Sequence, residues 1–215
     1  MADRPTVVLA TANEHKVAEL RALLGDLPIQ LVTVSDVLGE PLPLAESGGT
    51  IEENAIHKAR EICRATRLLA LADDSGLEVD ALGGRPGVRS ARFAHDRATD
   101  AENNAALLRE LEDTDDPDRT AHFRCVLALA SPWSGEVKIA EGRCDGTIAR
   151  DPRGSGGFGY DPLFVVAELG GRAMAELSEQ EKNTVSHRAR AARAARTLLL
   201  EAVNAQLDEA ERIAG

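Results

Sequence analysis

The apolar positions change period several times along the chain, and each change marks a passage between strand and helix. Residues 6–10 form a short apolar run of the kind a buried strand makes, after which Val17, Leu20, Leu23 and Leu24 recur at helical spacing until Gly25 stops them. Residues 29–34 read as a second strand, followed by a loop rich in Pro, Gly and acid that reaches Gly49. Thr50 with Glu53 three residues on is a capping-box pattern and predicts a helix through Ala65. Residues 68–72 form a third buried run, expected to end at Asp73-Asp74-Ser75-Gly76. A separate short strand at 77–82 and a loop over Gly83-Gly84-Arg85-Pro86-Gly87 should follow.

Thr99 with Glu102 repeats the capping pattern and opens a helix to Leu111, while residues 112–118, five acids and a proline in seven positions, read as a solvated connection. Residues 120–130 and 136–148 have strand composition and, joined by Pro132-Trp133-Ser134-Gly135, predict an antiparallel hairpin. Residues 153–160 form a glycine-rich loop leading to a strand at 163–166. Ser186 then caps a long helix rich in Ala and Arg, with Leu198, Leu199, Val203 and Leu207 on its apolar face. The alternation predicts an α/β fold with a mixed sheet, parallel in the N-terminal half and antiparallel in the middle.

Composition narrows what such a fold can do. At 215 residues the chain has room for one generous domain, or two small lobes around a shared sheet, with a core that needs no staples. Lys+Arg 25 against Asp+Glu 36 leaves a net charge of −11, which argues against a nucleic-acid-binding surface. Aromatics make up only 3%, so the core must be aliphatic. The longest apolar runs, such as 125–130, are too short to cross a bilayer, which predicts no membrane partner. The start of the chain has no secretory pattern, so a cytoplasmic protein is expected. Cys63, Cys125 and Cys144 are too scattered for a disulfide framework or a zinc site and read as buried small hydrophobes.

Four segments carry candidate chemistry. Thr11-Ala12-Asn13-Glu14-His15-Lys16 lies where the first strand meets the first helix. Backbone N–H groups, polar side chains and one lysine could hold a phosphate there; the alternative is that Thr11 or Asn13 serves only as a cap. Asp73-Asp74 follows a buried strand, where paired carboxylates suit a hard cation such as Mg2+ that shares its remaining positions with a phosphate substrate. Alternation along a strand implies that one of the two does the chemistry. Gly154-Ser155-Gly156-Gly157-Phe158-Gly159-Tyr160-Asp161-Pro162 contains G-x-G-x-x-G. It runs on into a strand rather than a helix, which excludes a dinucleotide fingerprint and leaves an aromatic platform for a planar base, with Asp161 at a polar edge. Lys182, His187 and Arg188 surround a helix start, where cations oppose the helix dipole and so suggest a ligand. Arg190, Arg193 and Arg196 beyond them read as a solvated face or subunit contacts. A Walker loop and a serine nucleophile elbow are both excluded.

In order along the chain, six motifs together resemble the inosine triphosphate pyrophosphatase (Ham1-like) family. They are Ala10-Thr11-Ala12-Asn13 with Lys16 and Glu19; Glu53-Asn54-Ala55 with Lys58; Asp73-Asp74-Ser75-Gly76-Leu77; Gly83-Gly84-Arg85-Pro86-Gly87-Val88 with Ser90-Ala91-Arg92; Gly156-Gly157-Phe158-Gly159-Tyr160-Asp161-Pro162; and Ser186-His187-Arg188. The resemblance implies one pyrophosphatase domain over residues 1–215, an elongated two-lobed α/β fold with a central mixed sheet flanked by helices, a cleft between the lobes, and a homodimer. It also implies Mg2+-dependent hydrolysis of ITP, dITP and XTP to the monophosphate and pyrophosphate. Thr11, Ala12, Asn13, Glu14, His15, Lys16 and Lys58 would then hold the phosphates, and Asp74 would be the catalytic and metal residue. Ser75, Phe158, Gly159, Tyr160, Asp161, Lys182, His187 and Arg188 would hold the rest of the purine nucleoside triphosphate. Two positions depart from the family pattern: Ala12 stands where glycine is frequent, and Ala45, beside Glu46, stands where an acidic metal ligand is frequent. The alternative to hydrolysis is a purine-nucleotide-binding regulator on the same fold.

Overall fold

The computed structural model describes residues 4–42, 44 and 48–214. Strand and helix alternate first, as β1 (Thr6–Leu9), α1 (Glu14–Leu24), β2 (Gln30–Thr33), α2 (Val34–Leu38), α3 (Ile51–Thr66), β3 (Leu69–Val79) and α4 (Asp100–Glu110). The long β4 (Thr120–Ala130) and β5 (Val137–Ile148) follow, then β6 (Phe164–Val166), α5 (Glu179–Val185) and α6 (His187–Ala214). The strands form one mixed sheet in the order β2-β1-β3-β4-β5-β6. β1 is parallel to both of its neighbours, with Val7 opposite Leu31 on one side and Leu69 on the other. β5 and β6 are antiparallel, with Thr147 opposite Val165. The short connection between β4 and β5 leaves no room for the crossover that a parallel pair requires.

Helix starts follow the capping rules closely. Thr50 opens α3 and Thr99 opens α4, each in a reciprocal capping box with the glutamate three residues on. Two helices were not expected. α2 occupies the start of the segment read as loop, because Asp36 does the work usually given to Glu: its Oδ2 accepts from Thr33 N at 2.8 Å while Thr33 Oγ1 accepts from Asp36 N at 3.2 Å. α5 begins at a capping box formed by Ser178 and Glu181. β3 also differs from expectation. It runs unbroken through Asp73-Asp74-Ser75-Gly76 to Val79, and residues 80–82 form a 3-10 turn instead of more strand.

The chain divides into two compact units that interleave along the sequence. One comprises Met1–Asp74, Val126–Glu141 and Ala191–Gly215; the other comprises Ser75–Cys125 and Gly142–Arg190. In the first, Val8, Leu9, Leu20, Ile62, Leu71 and Leu199 are among the buried aliphatics. In the second, Leu77, Leu107, Leu163 and Met174 pack with Phe123 and Phe164, whose rings lie 4.7 Å apart. Leu207, expected on the apolar face of α6, is exposed. All three cysteines are buried and free, and burial pushes the Cys144 thiol up to about 11, so they act as core fillers. Among the described residues no helix is long and apolar enough to cross a membrane.

Candidate active site

The first unit gathers two lysines onto two carboxylates. β3 alternates its side chains between faces, so neighbouring acids meet different partners. Lys16, in the first turn of α1, donates from Nζ to Asp73 Oδ1 at 2.6 Å. Lys58, on α3, donates to Asp74 Oδ1 at 2.5 Å and to the Asp73 carbonyl at 3.1 Å. One turn earlier on the same face of α3, Asn54 Nδ2 stands 3.4 Å from Asp74 Oδ2, and Asn54 Oδ1 accepts from Gly48 N at 2.8 Å. The Asp73 side chain is fully buried and that of Asp74 is 8% exposed. Carboxylates this dry require compensating charge, and the lysines supply it. That compensation explains why the strand does not stop at the acids.

The segment before Lys16 is partly structural. Asn13 caps α1, its Oδ1 accepting from Lys16 N at 3.1 Å, and Thr11 Oγ1 accepts from Asn13 N at 3.2 Å. Ala12, Asn13, Glu14 and His15 are exposed, whereas Thr11 and Lys16 are half-buried. Ala45 and Glu46, where a further metal ligand was sought, lie outside the described residues. Among the described residues no group of three or more His, Cys, Asp or Glu side chains could hold a metal ion.

The second unit builds an aromatic and cationic group. Ser186 ends α5 in extended backbone, and its Oγ accepts from Ala189 N at 3.2 Å, so the chain restarts as α6 with His187 and Arg188 in the first turn. Arg188 is 1% exposed and donates from Nη2 to Ser75 Oγ at 3.2 Å. Its guanidinium carbon lies 5.6 Å from the centre of the Phe158 ring, and Lys182 Nζ lies 4.8 Å from the same point. Both distances are within cation–π range. The His187 ring stacks on Phe123 at 4.6 Å and 14°.

Two expectations for the glycine-rich loop are corrected. Tyr160 is not a face for a base: it is 4% exposed, belongs to the core of its unit, and donates its hydroxyl to the Ser90 carbonyl at 2.8 Å. Burial first, and Asp100 second, push that phenol well above its ordinary pKa. Asp161 is not at an edge either. It is 3% exposed, and its Oδ2 accepts from Lys182 Nζ at 2.6 Å and from Phe158 N at 3.0 Å, so it braces the loop from within. Gly157 permits this, since a Cβ there would come within 2.0 Å of that carboxylate oxygen and its φ is +71°. Phe158 remains as the half-buried ring.

Asn54 and Ser90 lie inside two of the six motifs but had no role assigned to them, whereas Phe123, Asp100 and Asn104 gave no signal, because their partners are distant in sequence. Asp100 and Asn104 hold the two sides of Gly159: its N–H donates to Asp100 Oδ2 at 2.6 Å, and its carbonyl accepts from Asn104 Nδ2 at 3.0 Å.

The chain as a whole matches a known family. The Ham1 family model matches residues 7–198, and the chain belongs to that family. Among its curated relatives, the dITP/XTP pyrophosphatase of Geobacter sulfurreducens is 51% identical over 86% of this chain and 92% of its own length. That of Bacillus licheniformis is 46% identical over 95% of this chain and 98% of its own. Among solved structures, a HAM1 protein from Coxiella burnetii superposes with a TM-score of 0.82 at 45% identity, covering 92% of this chain and 99% of that one. A nucleoside-triphosphatase (dITP/XTP pyrophosphatase) from Mycobacterium abscessus gives 0.72 at 46% identity, covering 88% and 97%.

Proposed function

We propose that the protein hydrolyses non-canonical purine nucleoside triphosphates, namely ITP, dITP and XTP, at the bond between the α- and β-phosphates, releasing the nucleoside monophosphate and pyrophosphate. The observation that carries this is the pairing of Lys16 with Asp73 and Lys58 with Asp74 in a nearly dry setting. A protein that only binds an anion has no need for two buried carboxylates between its lysines. A hydrolase needs a carboxylate to position and deprotonate water, and the relatives named as dITP/XTP pyrophosphatases support that reading.

The two lysines and two aspartates sum to zero formal charge, so they do not neutralise a triphosphate by themselves. The donor set fits a hard divalent cation such as Mg2+, which takes one or two protein carboxylates and leaves its other positions to water and to the substrate's phosphates. Asp74 would hold it, since Asp73, its neighbour on the strand, points to the other face and pairs with Lys16. When bound, the cation supplies Lewis-acid stabilisation of the charge on the phosphates. Asp74 orients a water and takes its proton as the water attacks the α-phosphorus, while Lys16 and Lys58 offset negative charge on the departing pyrophosphate. Phe158, flanked by Lys182 and Arg188, offers the base a ring face and donors. The 6-oxo group of hypoxanthine and xanthine accepts from such donors, whereas adenine's 6-amino group would leave a buried donor unpaired, which can cost a large factor in rate.

Steady-state hydrolysis of ITP, XTP and ATP with product analysis tests the proposal. Pyrophosphate should be the phosphorus-containing leaving product, ITP and XTP should be preferred over ATP, and chelation with EDTA should abolish a turnover that Mg2+ restores. Orthophosphate as the primary product would overturn it.

A further inference from the structure

We propose that Asp100 and Asn104 are positioning residues for base selectivity, acting through the Gly159 peptide to fix the ring of Phe158. The inference rests on the function proposed above and extends it to two residues one turn apart on α4 that bond the backbone of Gly159. Gly159 follows Phe158 directly, has a φ of +61°, and so sits in a conformation that a free loop would readily leave. Both of its peptide groups are taken: Asp100 Oδ2 accepts its N–H at 2.6 Å and Asn104 Nδ2 donates to its carbonyl at 3.0 Å. With the Asp161 carboxylate accepting from Phe158 N at 3.0 Å, the backbone on both sides of the ring is held by side chains.

The assignment of the Asn104 amide follows from its bonding, since only its nitrogen can donate to a carbonyl. Its Oδ1 is buried without a hydrogen-bond partner among the described residues. A side chain kept there despite an unsatisfied acceptor is not explained by local stability, because such an atom costs free energy. Positioning Gly159 gives it a reason. Asp100 is exposed, so its bond to Gly159 N is the contact that sets it apart from an ordinary first-turn acid.

The experiment compares wild type with Asn104→Ala, Asp100→Ala and Asp100→Asn. Kinetics are measured on ITP and ATP, inhibition with tripolyphosphate, which has no base, and amide exchange at residues 158–160 in the ligand-free proteins. Losing one hydrogen bond to the loop should raise KM for ITP about five- to tenfold in either alanine variant, with kcat nearly unchanged and the ITP-over-ATP ratio reduced by a similar factor. Tripolyphosphate inhibition should stay as in wild type, and exchange at residues 158–160 should speed up. Asp100→Asn keeps an acceptor and should behave as wild type. An unchanged KM with unchanged exchange, a parallel weakening of ITP and tripolyphosphate, or an Asp100→Asn variant as impaired as Asp100→Ala would each overturn the inference. A wild-type enzyme with no ITP preference would instead refute the proposed function, and this is read before any variant is compared.

Discussion

Asp74 carries the heaviest demand placed on any one side chain. It is 6% exposed, and its Oδ1 lies 2.5 Å from Lys58 Nζ, so the same carboxylate that would take a proton from water also neutralises a buried lysine. Asp74→Asn keeps the shape and an acceptor but leaves Lys58 without its counter-charge. Breaking a buried pair from one side costs about 3 kcal/mol, and losing a positioned base lowers kcat by ~10²-fold or more. Thermal unfolding alongside kcat measured on the folded fraction separates the two effects; near-normal turnover in the folded variant would remove Asp74 from the mechanism. At this scale the sequence was informative about which residues carry charge and less so about what they touch. Asp73-Asp74 stood out beside a buried run, and Lys16 and Lys58 stood out by motif. Nothing in the spacing of Lys16 and Asp73, 57 positions apart, foretold their bond. Tyr160 and Asp161 misled because an aromatic or acid in a glycine-rich loop looks available to a ligand, whereas here the loop folds over them.

At the scale of elements, the boundaries that were legible are those written in local hydrogen-bond chemistry. Thr50 and Thr99 opened helices where expected, and Ser178 with Glu181 would have revealed α5 by the same rule. α2 was hidden because aspartate substitutes for glutamate in its cap, and β3 because strand continuity through two acids depends on lysines from other elements. α5 deserves a test, since it carries Lys182 and ends at the serine that launches His187 and Arg188. Hydrogen bonds from Arg172 first and then from Ser178 hold the Glu181 carboxyl down at about 2, below its ordinary value of 4.5. A depressed carboxyl pKa contributes stability that is present above the unfolded value and disappears as pH falls through the folded one. Glu181→Gln should therefore lower the thermal midpoint at pH 7, and the gap from wild type should close as pH falls from about 4.5 toward 2. A gap that persisted unchanged at the lowest pH would mean that Glu181 acts through shape instead of charge.

For the molecule as a whole, the net charge of −11 sets the conditions under which an anionic substrate arrives. The mixed sheet, with its parallel and antiparallel parts, was readable from the order of strands and helices, because connection length decides strand direction. Two lobes were expected, but which segments make up each unit was not readable, since each is assembled from segments far apart in sequence. Charge distribution follows from that assembly. The ionic side chains of the two groups described above, Lys16 and Lys58 with Asp73 and Asp74, and Lys182 and Arg188 with Asp161, are four cations against three carboxylates. They sum to +1, and the remainder of the protein carries the excess of acid. A triphosphate at long range therefore meets repulsion, and attraction acts only within the contact distance of these groups. Salt screens the first more than the second, because the Debye length shrinks to about 10 Å at 0.1 M while buried pairs are little affected. At fixed Mg2+, kcat/KM for ITP should rise about two- to threefold as monovalent salt increases from roughly 0.01 to 0.15 M, with kcat unchanged. A steady fall over that range would show that exposed cations near the substrate's path outweigh the acidic surface.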